Sequence, residues 1–413
     1  MISLKWAVVA ILSVSFAVFV TFFGRLPALR RTPIGFLHRL IWIHIPNTLL
    51  SIDNKLTSGR LSSSVSRCGH FLMHDRHPSI VIFFIVLMAG GEYLYLPAAW
   101  HRLTLLTKSA VVLVVSLPYL FLYLSCAADP GYITRENHAY HMTLYPYDHA
   151  LFHPGAECKT CGFLKPPRSK HCSVCKRCIA KADHHCIFIN SCVGYGNHHW
   201  FILLLASTAV LCTYGGLLGA SLLSSSIGDH FVDWSPWHPQ RHGWGTYFVL
   251  WGWGVQTNIG LGASALLAAM TAPLVWGLLI YTLYLVYCGT TTNESFKWSV
   301  YKEDMDDGFA FRRRLSPGRP RDLVREPLCP RWPVEPEMVL AALDNGKPPP
   351  SSSRLAGDGD WERVWKLNDV ENLYDLGLWD NLGDIFVSDY RFSARAKDPG
   401  SLTEQPSVSQ VVQ

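Results

Sequence analysis

Five apolar stretches constrain the fold of this chain more than any other feature of its sequence. They cover residues 6–23, 79–96, 109–127, 200–223 and 262–287, and each approaches the roughly 20 mostly apolar residues that an α-helix needs to cross a bilayer. The composition agrees, because the 413 residues are 49% hydrophobic and only 16% charged, whereas soluble domains have about 25% charged residues. The sequence predicts an all-α polytopic membrane protein with about five transmembrane helices.

The positive charges of the loops predict how the chain is oriented. Cytosolic loops carry the excess of Lys and Arg, and residues 24–78 and 128–199 contain eight such residues each, while the N-terminus and the other two loops contain one each. We therefore expect a lumenal N-terminus, with the second long loop and the chain after residue 288 in the cytosol. The mild net charge of +5 suits anionic lipid and gives little support to nucleic-acid binding.

Two further apolar segments are predicted not to span the membrane. Residues 36–50 are short and interrupted by Pro46, which favours a position on the membrane surface. If the Trp-rich residues 244–259 were a sixth span, the basic tail would lie on the lumenal side of the membrane, which the charge rule for cytosolic segments disfavours. We therefore expect an interfacial or re-entrant segment there. Glu92, in the second stretch, is expected near one end of its helix, where it reaches the interface.

These patterns divide the chain into six segments. In chain order they are 1–24, the lumenal end and first span; 25–78, a cytosolic loop with a candidate interfacial helix; 79–127, the second and third spans; 128–199, a cytosolic cysteine-rich zinc domain; 200–287, the fourth span, a lumenal loop and the fifth span; and 288–413, a cytosolic tail. Within the tail, residues 303–360 have the composition of a linker, whereas the aromatic residues 361–392 are expected to fold back onto the rest.

A cluster of cysteines and histidines in the second long loop predicts metal binding. Its members are Cys158, Cys161, His171, Cys172, Cys175, Cys178, His184, His185, Cys186 and Cys192. A structural zinc site takes four ligands, commonly delivered by paired C-x2-C sequences. Two such sites would use six cysteines and two histidines, and would leave one cysteine and one histidine free.

The free cysteine is predicted to be Cys186, because an acid and two histidines directly precede it. If His185 binds zinc, His184 remains to take the proton of the thiol and Asp183 remains to orient His184. A cysteine paired with a histidine is the arrangement of an activated nucleophile. The alternative is that all seven cysteines of the cluster are structural and that residues 183–185 are polar surface.

The run from Cys158 to Phe201 resembles the cysteine-rich domain of the DHHC protein S-acyltransferases, or palmitoyltransferases. The resemblance also includes residues outside the metal cluster, namely Lys165, Pro166, Arg168, Asn190, Gly194 and Asn197. Three motifs beyond the domain agree: Asp129-Pro130-Gly131 resembles the DPG motif of the family, Thr291-Thr292-Asn293-Glu294 its TTxE motif, and Tyr374, Gly377, Asn381 and Phe386 its C-terminal aromatic motif. The resemblance covers roughly residues 125–392.

This resemblance implies two structural Zn²⁺ ions and a catalytic thiol. It assigns Cys158, Cys161, His171 and Cys178 to one zinc ion, and Cys172, Cys175, His185 and Cys192 to the other. It makes Cys186 the acyl acceptor, His184 the general base and Asp183 the residue that orients it, with palmitoyl-CoA as the donor. Ile187 and Phe188 stand where the family usually has Pro-Trp, so a hydrogen bond from an indole N–H is lost there.

The function that the resemblance implies is protein-cysteine S-palmitoylation in two steps. Cys186 is acylated by palmitoyl-CoA and passes the chain to cysteines of membrane proteins at the cytosolic face. The predicted topology is similar to that of the fungal endoplasmic-reticulum branch of the family, which acylates juxtamembrane cysteines of SNAREs, so we expect a multi-pass protein of that membrane with such substrates. The alternative is a membrane-anchored RING-like zinc platform of a ubiquitin ligase, which needs no spare thiol.

Binding of an acyl donor would require a place for its acyl chain and a place for its CoA phosphates. Exposing the chain to water costs about 0.8 kcal/mol per CH₂, so a cavity among the spans is expected to hold it. The candidates to line that cavity are Tyr119, Tyr123, Gly215 and Gly216, although such residues more often serve helix packing. The candidates to contact the CoA phosphates are Arg168, Lys170, Arg312, Arg313 and Arg314, the alternative for each being the ordinary charge bias of cytosolic loops.

Overall fold

The computed structural model describes residues 31–392, except for 317, 344 and 351–354, together with residues 16, 20, 21 and 29. The predicted span at residues 6–23 therefore lies almost wholly outside the described residues. The chain separates into two units, Met1–Asp75 and Arg76–Gln413, and each is described by itself.

From residue 33 onward, the first unit contains one long helical path followed by a second helix. Helix α1 (Pro33–Arg39) passes through a π turn (Leu40–His44) into α2 (Ile45–Thr57), and α3 (Arg60–His74) follows after a short turn. The chain is thus helical through Pro46, contrary to the expectation that Pro46 interrupts it. A proline ring crowds the carbonyl four residues earlier, and the π turn lies at that place.

Four helices of the second unit are long and apolar enough to cross a membrane, and no others are found in the part of the chain that the structure describes. Between residues 76 and 290, the α-helices are α4 (Ser79–Trp100), α5 (Leu105–Ala127), the short α6 (His138–Met142), α7 (His198–Gly228), α8 (Gly243–Thr257) and α9 (Ile259–Tyr287). Of these, α4, α5, α7 and α9 are the membrane-spanning candidates. They contain four of the five predicted spans, and each extends beyond the predicted stretch.

Helix α7 is the centre of this bundle, because it packs against α5, α8 and α9, while α4 packs against α9. Small residues allow the close approach of α7 and α9. A Cβ atom added to Gly219 would lie 2.4 Å from that of Ala265, and one added to Gly216 would lie 3.3 Å from that of Ala269. Gly216 therefore serves helix packing, which was the alternative to a role in lining a cavity.

Helix α8 contains most of the Trp-rich stretch that was considered as a sixth span. Its 15 residues extend about 22 Å at 1.5 Å per residue, which is less than the hydrocarbon thickness of about 30 Å. It packs against α7 and α9. These dimensions favour an interfacial or re-entrant segment.

Glu92 lies in the second half of α4, is half-buried and faces the neighbouring helix α5. Helix α4 continues through Pro97 to Trp100, well past the apolar stretch that ended at residue 96. The Glu92 carboxylate accepts a hydrogen bond of 2.9 Å from the hydroxyl of Tyr119 on α5. It also lines a cavity between the helices, where a carboxyl group finds a polar partner away from lipid.

The cysteine-rich region consists of three antiparallel hairpins of two strands each. They are β1 (Glu157–Cys158) with β2 (Phe163–Leu164), β3 (Lys170–Cys172) with β4 (Arg177–Ile179), and β5 (His184–Cys186) with β6 (Ser191–Val193). The all-α prediction thus holds for the membrane helices and fails here. Hairpins bring cysteines and histidines from neighbouring strands close together, which short helices separated by loops would not do.

The tail combines helices with a three-stranded antiparallel sheet. Its elements are α10 (Thr292–Asp306), β7 (Ala310–Arg314), β8 (Met338–Ala342), β9 (Asp358–Arg363) and α11 (Leu378–Phe386), with β7 between β8 and β9. Trp298 and Met305 of α10 are buried against Leu340 of β8. The residues interpreted as a linker therefore contain strands. These are short, β7 and β9 are rich in charged residues, and β8 is a run of five apolar residues, so none has the alternating apolar pattern that would reveal it.

Candidate active site

Two groups of cysteine and histidine side chains in the hairpins form complete four-ligand sets. In each set the candidate ligand atoms lie within 4.8 Å of one another. The sets are Cys158, Cys161, His171 and Cys178, and Cys172, Cys175, His185 and Cys192. The register of the hairpins pairs His171 with Cys178 and His185 with Cys192, so one histidine and one cysteine of each set lie side by side.

The distances within these sets fit a tetrahedral metal ion. Nδ1 of His171 lies 3.4 Å from Sγ of Cys161, 3.5 Å from Sγ of Cys158 and 3.8 Å from Sγ of Cys178. Ligands at zinc bond lengths in a tetrahedron are about 3.4 to 3.8 Å apart. Three thiols and one imidazole are also donors that zinc prefers, so the residues present fit the metal that the sequence predicts.

Local backbone geometry shapes the C-x2-C segments of both sets. The backbone N–H of Cys161 donates to Sγ of Cys158 at 3.4 Å, and that of Cys175 donates to Sγ of Cys172 at 3.3 Å. A residue with positive φ follows each segment, Gly162 at 71° and Lys176 at 56°. The chain therefore turns sharply after each cysteine pair, which returns the next strand toward the ligands.

Cys186 lies outside both sets and next to His184. Cys186 is buried at the end of β5, and its thiol hydrogen-bonds the His184 side chain. Nδ1 of His184 lies 2.6 Å from Oδ2 of Asp183. The three residues that the sequence predicted to act together are thus in contact.

Asp183 is buried and is held by the first residue of α10. The Thr292 backbone N–H donates to Oδ1 of Asp183 at 2.5 Å, and the Thr292 hydroxyl donates to Oδ2 at 3.0 Å. Burial raises the pKa of Asp183, but the hydrogen bond with His184, nearby histidines and the Thr292 N–H outweigh it and lower the pKa to about 2. The N-terminus of a helix also favours a carboxylate, so Asp183 is anionic at neutral pH.

The anionic Asp183 favours a protonated His184. Burial lowers the pKa of His184, but hydrogen bonds to Asp183 and Cys186 and the negative charges of these groups raise it to about 10. An imidazolium beside a thiol is the arrangement that favours a thiolate. This site can therefore supply a sulfur nucleophile together with a proton donor on the adjacent ring.

A buried ion pair fixes the N-terminus of α10 beside Asp183. Arg168 forms two parallel hydrogen bonds to Glu294, with Nε–Oε1 at 2.7 Å and Nη2–Oε2 at 2.6 Å. Glu294 also closes a capping box with Thr291, and the Arg168 guanidinium packs on the ring of Tyr374. Arg168 was one candidate for phosphate contact, but its guanidinium is buried and already engaged by Glu294 and Tyr374, so the structure does not favour that role.

Arg312 and Arg313, which were also considered for phosphate contact, are bound to the tail itself. Arg312 donates to the carbonyl of Asp369 at 2.9 Å, and Arg313 donates to the carbonyl of Ala356 at 2.9 Å. Arg313 also packs on the ring of Trp361. Both side chains stabilise the connections of the sheet.

Arg76 is a site residue that the sequence did not indicate. Its Nε donates to the carbonyl of Asn190 at 2.7 Å, and its Nη1 donates to the hydroxyl of Tyr132 at 3.4 Å. Asn190 has a positive φ of 49° and ends the turn that follows Cys186. Arg76 therefore holds this turn from the segment that leads into α4, and only spatial proximity across more than one hundred residues could reveal that.

The C-terminal aromatic motif folds back onto the site, as the sequence predicted for residues 361–392. The Asn381 side chain donates to the carbonyl of Tyr287 at the end of α9 at 3.1 Å. Asp384 of α11 accepts from Lys181 at 2.7 Å, two residues before Asp183. Tyr374 is buried among aromatic rings. The tail thus braces the segment that contains Asp183.

A cavity of about 170 Å³ lies between α4, α5, α7 and α9. Gly215 lines it, as considered from the sequence, whereas Tyr123 is 68% exposed on the outer surface of α5. Phe84 of α4 also lines it and packs edge-on against Phe188, with ring centroids 6.1 Å apart. The apolar residue two positions after Cys186 therefore borders the helix that forms one wall of the cavity.

Comparison with known proteins adds an independent line of evidence. Residues 152–299 match the family described as DHHC palmitoyltransferase. The chain is 52% identical to palmitoyltransferase SWF1 of Neurospora crassa, with 92% of each chain covered. It is 40% identical to palmitoyltransferase swf1 of Emericella nidulans over 93% of this chain and 97% of the relative, and 35% identical to palmitoyltransferase swf1 of Schizosaccharomyces pombe over 93% and 96%. These relatives favour acyl transfer over the alternative of a ubiquitin-ligase zinc platform.

Proposed function

This chain belongs to the DHHC palmitoyltransferase family and is a multi-pass membrane protein with protein S-acyltransferase activity, and we propose that Cys186 carries the acyl group between donor and substrate. One observation supports this assignment above all. Eight of the ten cysteine and histidine residues of the cluster form two complete ligand sets, and Cys186 remains beside His184, which in turn contacts Asp183.

The proposed reaction has two steps, and His184 moves a proton in each. In the first step, Sγ of Cys186 attacks the carbonyl carbon of the acyl-CoA thioester, the bond to the CoA sulfur breaks, and CoA leaves as a thiol with the proton held by His184. In the second step, the substrate cysteine gives its proton to His184 and attacks the Cys186 thioester. Cys186 then leaves and regains the proton. Asp183 keeps the His184 ring oriented throughout.

The two ligand sets are proposed to bind structural zinc ions. A closed Cys₃His set leaves no open position for a substrate, so the ions supply folding energy and no chemistry of their own. One set includes His185 and Cys192, which pair across β5 and β6, the hairpin that begins with His184. Binding of metal there would position His184 and Cys186 on either side of His185.

The acyl donor is proposed to occupy two regions. A cleft of about 570 Å³ is lined by Lys165, Lys170 and Lys297 together with Asn293, the residue after Thr292. The Asn293 side-chain amide is buried there without a hydrogen-bond partner. Three ammonium groups and a free amide are suited to the phosphates of CoA. Lys170 was predicted to contact the phosphates, whereas Lys165 and Lys297 were not.

The acyl chain is proposed to enter the cavity between the four membrane helices. Phe188 packs against Phe84, which lines that cavity, so an apolar path leads from the neighbourhood of Cys186 into the bundle. Burial of the chain saves about 0.8 kcal/mol per CH₂. Ile187 and Phe188 are about half exposed and keep this path apolar in place of the usual Pro-Trp.

The proposed substrates are membrane proteins whose cysteines lie beside a transmembrane segment on the cytosolic side. A thioester held at the end of a membrane bundle reaches such cysteines more readily than cysteines far from the bilayer. The resemblance described above supports SNAREs as substrates and the endoplasmic reticulum membrane as the location, with the active site in the cytosol.

The experiment that tests this function measures incorporation of an alkynyl palmitate, supplied as its CoA thioester, into purified protein. We expect labelling of the wild type that hydroxylamine removes, and no labelling of Cys186→Ser. Cys68→Ser, which changes an exposed cysteine of α3, is the matched control and should label normally. Labelling of Cys186→Ser equal to that of the wild type, with zinc content unchanged in both, would disprove the assignment of the nucleophile.

A further inference from the structure

Helices α2 and α3 of the first unit both expose an apolar stripe. On α2 the stripe consists of Ile45, Leu49, Ile52 and Leu56, which are between 46% and 79% exposed. On α3, Leu61 and Val65 are 63% and 64% exposed. The spacing of i, i+4, i+7 and i+11 on α2, and of i and i+4 on α3, places the side chains of each set on one face of its helix. Large apolar side chains in such a row indicate a surface that something covers.

The hairpin of these two helices has a defined corner. Asp53 is 7% exposed, and its Oδ2 accepts the backbone N–H of Ser62 at 2.8 Å, near the start of α3. Its other oxygen accepts the hydroxyl of Thr57 at the end of α2. The turn between the helices adds two positive φ angles, at Ser58 and Gly59. The two stripes are therefore presented by a connected element and not by two independent helices.

The exposed charges of the hairpin are basic. Between residues 45 and 74, Asp53 is the single acidic residue, and its carboxylate is occupied at the corner. Lys55, Arg60 and Arg67 are basic and exposed. An amphipathic helix with basic residues beside its apolar face is typical of helices that lie in the interface of an anionic membrane.

The chain around the hairpin determines how far it can be from a membrane. Helix α3 ends at His74, and the membrane-spanning candidate α4 begins at Ser79. The four residues between them extend about 14 Å at most. Only a short stretch of chain therefore connects the end of α3 to a helix that is a candidate to cross the bilayer.

From these observations we propose that the α2–α3 hairpin is an in-plane membrane anchor, whose apolar stripes lie among the acyl chains and whose basic residues contact anionic lipid headgroups. The proposal adds a lipid-binding surface to the acyltransferase and does not depend on the assignment of Cys186. Its partner is the bilayer in which the enzyme is embedded, and not another protein.

The test uses the full-length protein in lipid nanodiscs with a benzophenone amino acid at Val65 or at Ser63. Both positions are exposed and only two residues apart, but Ser63 lies on the opposite face of α3. In discs containing phosphatidylserine, we expect irradiation to yield at least five-fold more lipid adducts from Val65 than from Ser63. Equal yields from the two positions, or protein adducts from Val65, would overturn the proposal, because the stripe would then face water or be covered by protein.

The contact between the basic residues of the hairpin and anionic lipid headgroups is tested separately. We expect Arg60→Gln combined with Arg67→Gln to lower the yield of lipid adducts from Val65 at least two-fold in discs with phosphatidylserine, and to have little effect in discs of phosphatidylcholine alone. An unchanged yield in both kinds of disc would remove the role of anionic headgroups. Alkynyl palmitate labelling of each variant verifies folding, so failure of the anchor and failure of the acyl transfer are distinguishable.

Discussion

The backbone N–H of Thr292 donates a hydrogen bond of 2.5 Å to the carboxylate of Asp183, across 109 positions of sequence. This bond joins the first turn of α10, which follows the last membrane helix, to the residue that orients His184. The TTxE-like motif thus acts on the proposed catalytic residues through a single threonine, whose hydroxyl adds a second bond. The positive end of the α10 dipole therefore acts on the Asp183 carboxylate, and through it on His184 beside Cys186.

We expect Asp183→Asn to slow formation of the acyl-enzyme by about 10² to 10⁴-fold, the usual range for loss of general acid–base assistance, because a neutral amide no longer stabilises the His184 cation. Thr292→Ala should have a smaller effect, since it removes the hydroxyl and keeps the N–H bond. Rapid-quench measurement of acylation is the readout. As a control, Ser299→Ala, on the exposed side of α10, should leave the rate of acylation unchanged. If Thr292→Ala were acylated as fast as the wild type, the bond from the Thr292 hydroxyl would have no role.

The Arg168–Glu294 pair should contribute strongly to stability. Both side chains are at most 2% exposed, and removal of one partner from a buried pair leaves an uncompensated charge at a cost of about 3 to 5 kcal/mol. We expect Glu294→Gln to lower the thermal stability clearly. Glu362→Gln breaks a pair with Arg312 whose carboxylate side is 73% exposed, and such pairs contribute at most about 1 kcal/mol. A similar loss of thermal stability in Glu294→Gln and Glu362→Gln would contradict the expected difference between a buried and an exposed ion pair.

Zinc content should report the two ligand sets separately. Metal analysis of the purified protein is expected to find two zinc ions in the wild type and one in either Cys158→Ser or Cys192→Ser. We also expect Cys192→Ser to reduce acylation more, because Ser191 and Cys192 belong to the strand that pairs with the one bearing Cys186. Full zinc occupancy in Cys192→Ser would refute the assignment of that residue as a ligand.

Arg76 should affect the rate of acylation without affecting zinc binding. It holds the carbonyl of Asn190 in the turn after Cys186, so we expect Arg76→Ala to slow acyl-enzyme formation about ten-fold, as removal of a charged hydrogen bond of about 1.5 kcal/mol would. Arg76→Lys should recover part of the rate, because an ammonium group can bind one carbonyl. Equal rates of acylation for Arg76→Ala and the wild type would show that the turn after Cys186 keeps its conformation without Arg76.

Asp148 should make stability depend on pH. Burial raises its pKa from 3.8 to about 6, despite hydrogen bonds from the backbone of Phe152 and Ala150. The folded protein therefore binds a proton between about pH 4 and pH 6 that the unfolded chain has lost, so this group makes stability fall as the pH rises through that window. Asp148→Asn keeps an acceptor for the N–H groups and lacks the ionisation.

The difference in melting temperature between Asp148→Asn and the wild type should accordingly shift in favour of the variant as the pH rises from 4 to 7. Comparison of the two proteins at each pH cancels the contribution of the other titrating groups. A difference in melting temperature that stays constant, or that shifts in favour of the wild type, would show that burial does not raise the pKa of the Asp148 carboxyl group.

The sequence by itself determined the features that depend on short spacing and composition. Apolar runs of about 20 residues predicted the four membrane helices, because a bilayer leaves a chain few ways to satisfy its backbone. The cysteine and histidine spacings predicted both ligand sets through the family resemblance, and adjacency alone indicated that Asp183, His184 and Cys186 act together. The residues of the ligand sets, with Asp183, His184 and Cys186, all lie between Cys158 and Cys192, and each apolar run is continuous in sequence.

Tertiary structure decided the contacts between distant segments. The pairing of Arg168 with Glu294, the support of Asp183 by Thr292 and the contact of Arg76 with Asn190 join residues more than one hundred positions apart. No local pattern encodes such contacts, because they arise only when packing brings the segments together. The hydrogen bond between Glu92 and Tyr119 and the pairing of the strands of the tail were not apparent for the same reason, because both depend on partners that only the fold supplies.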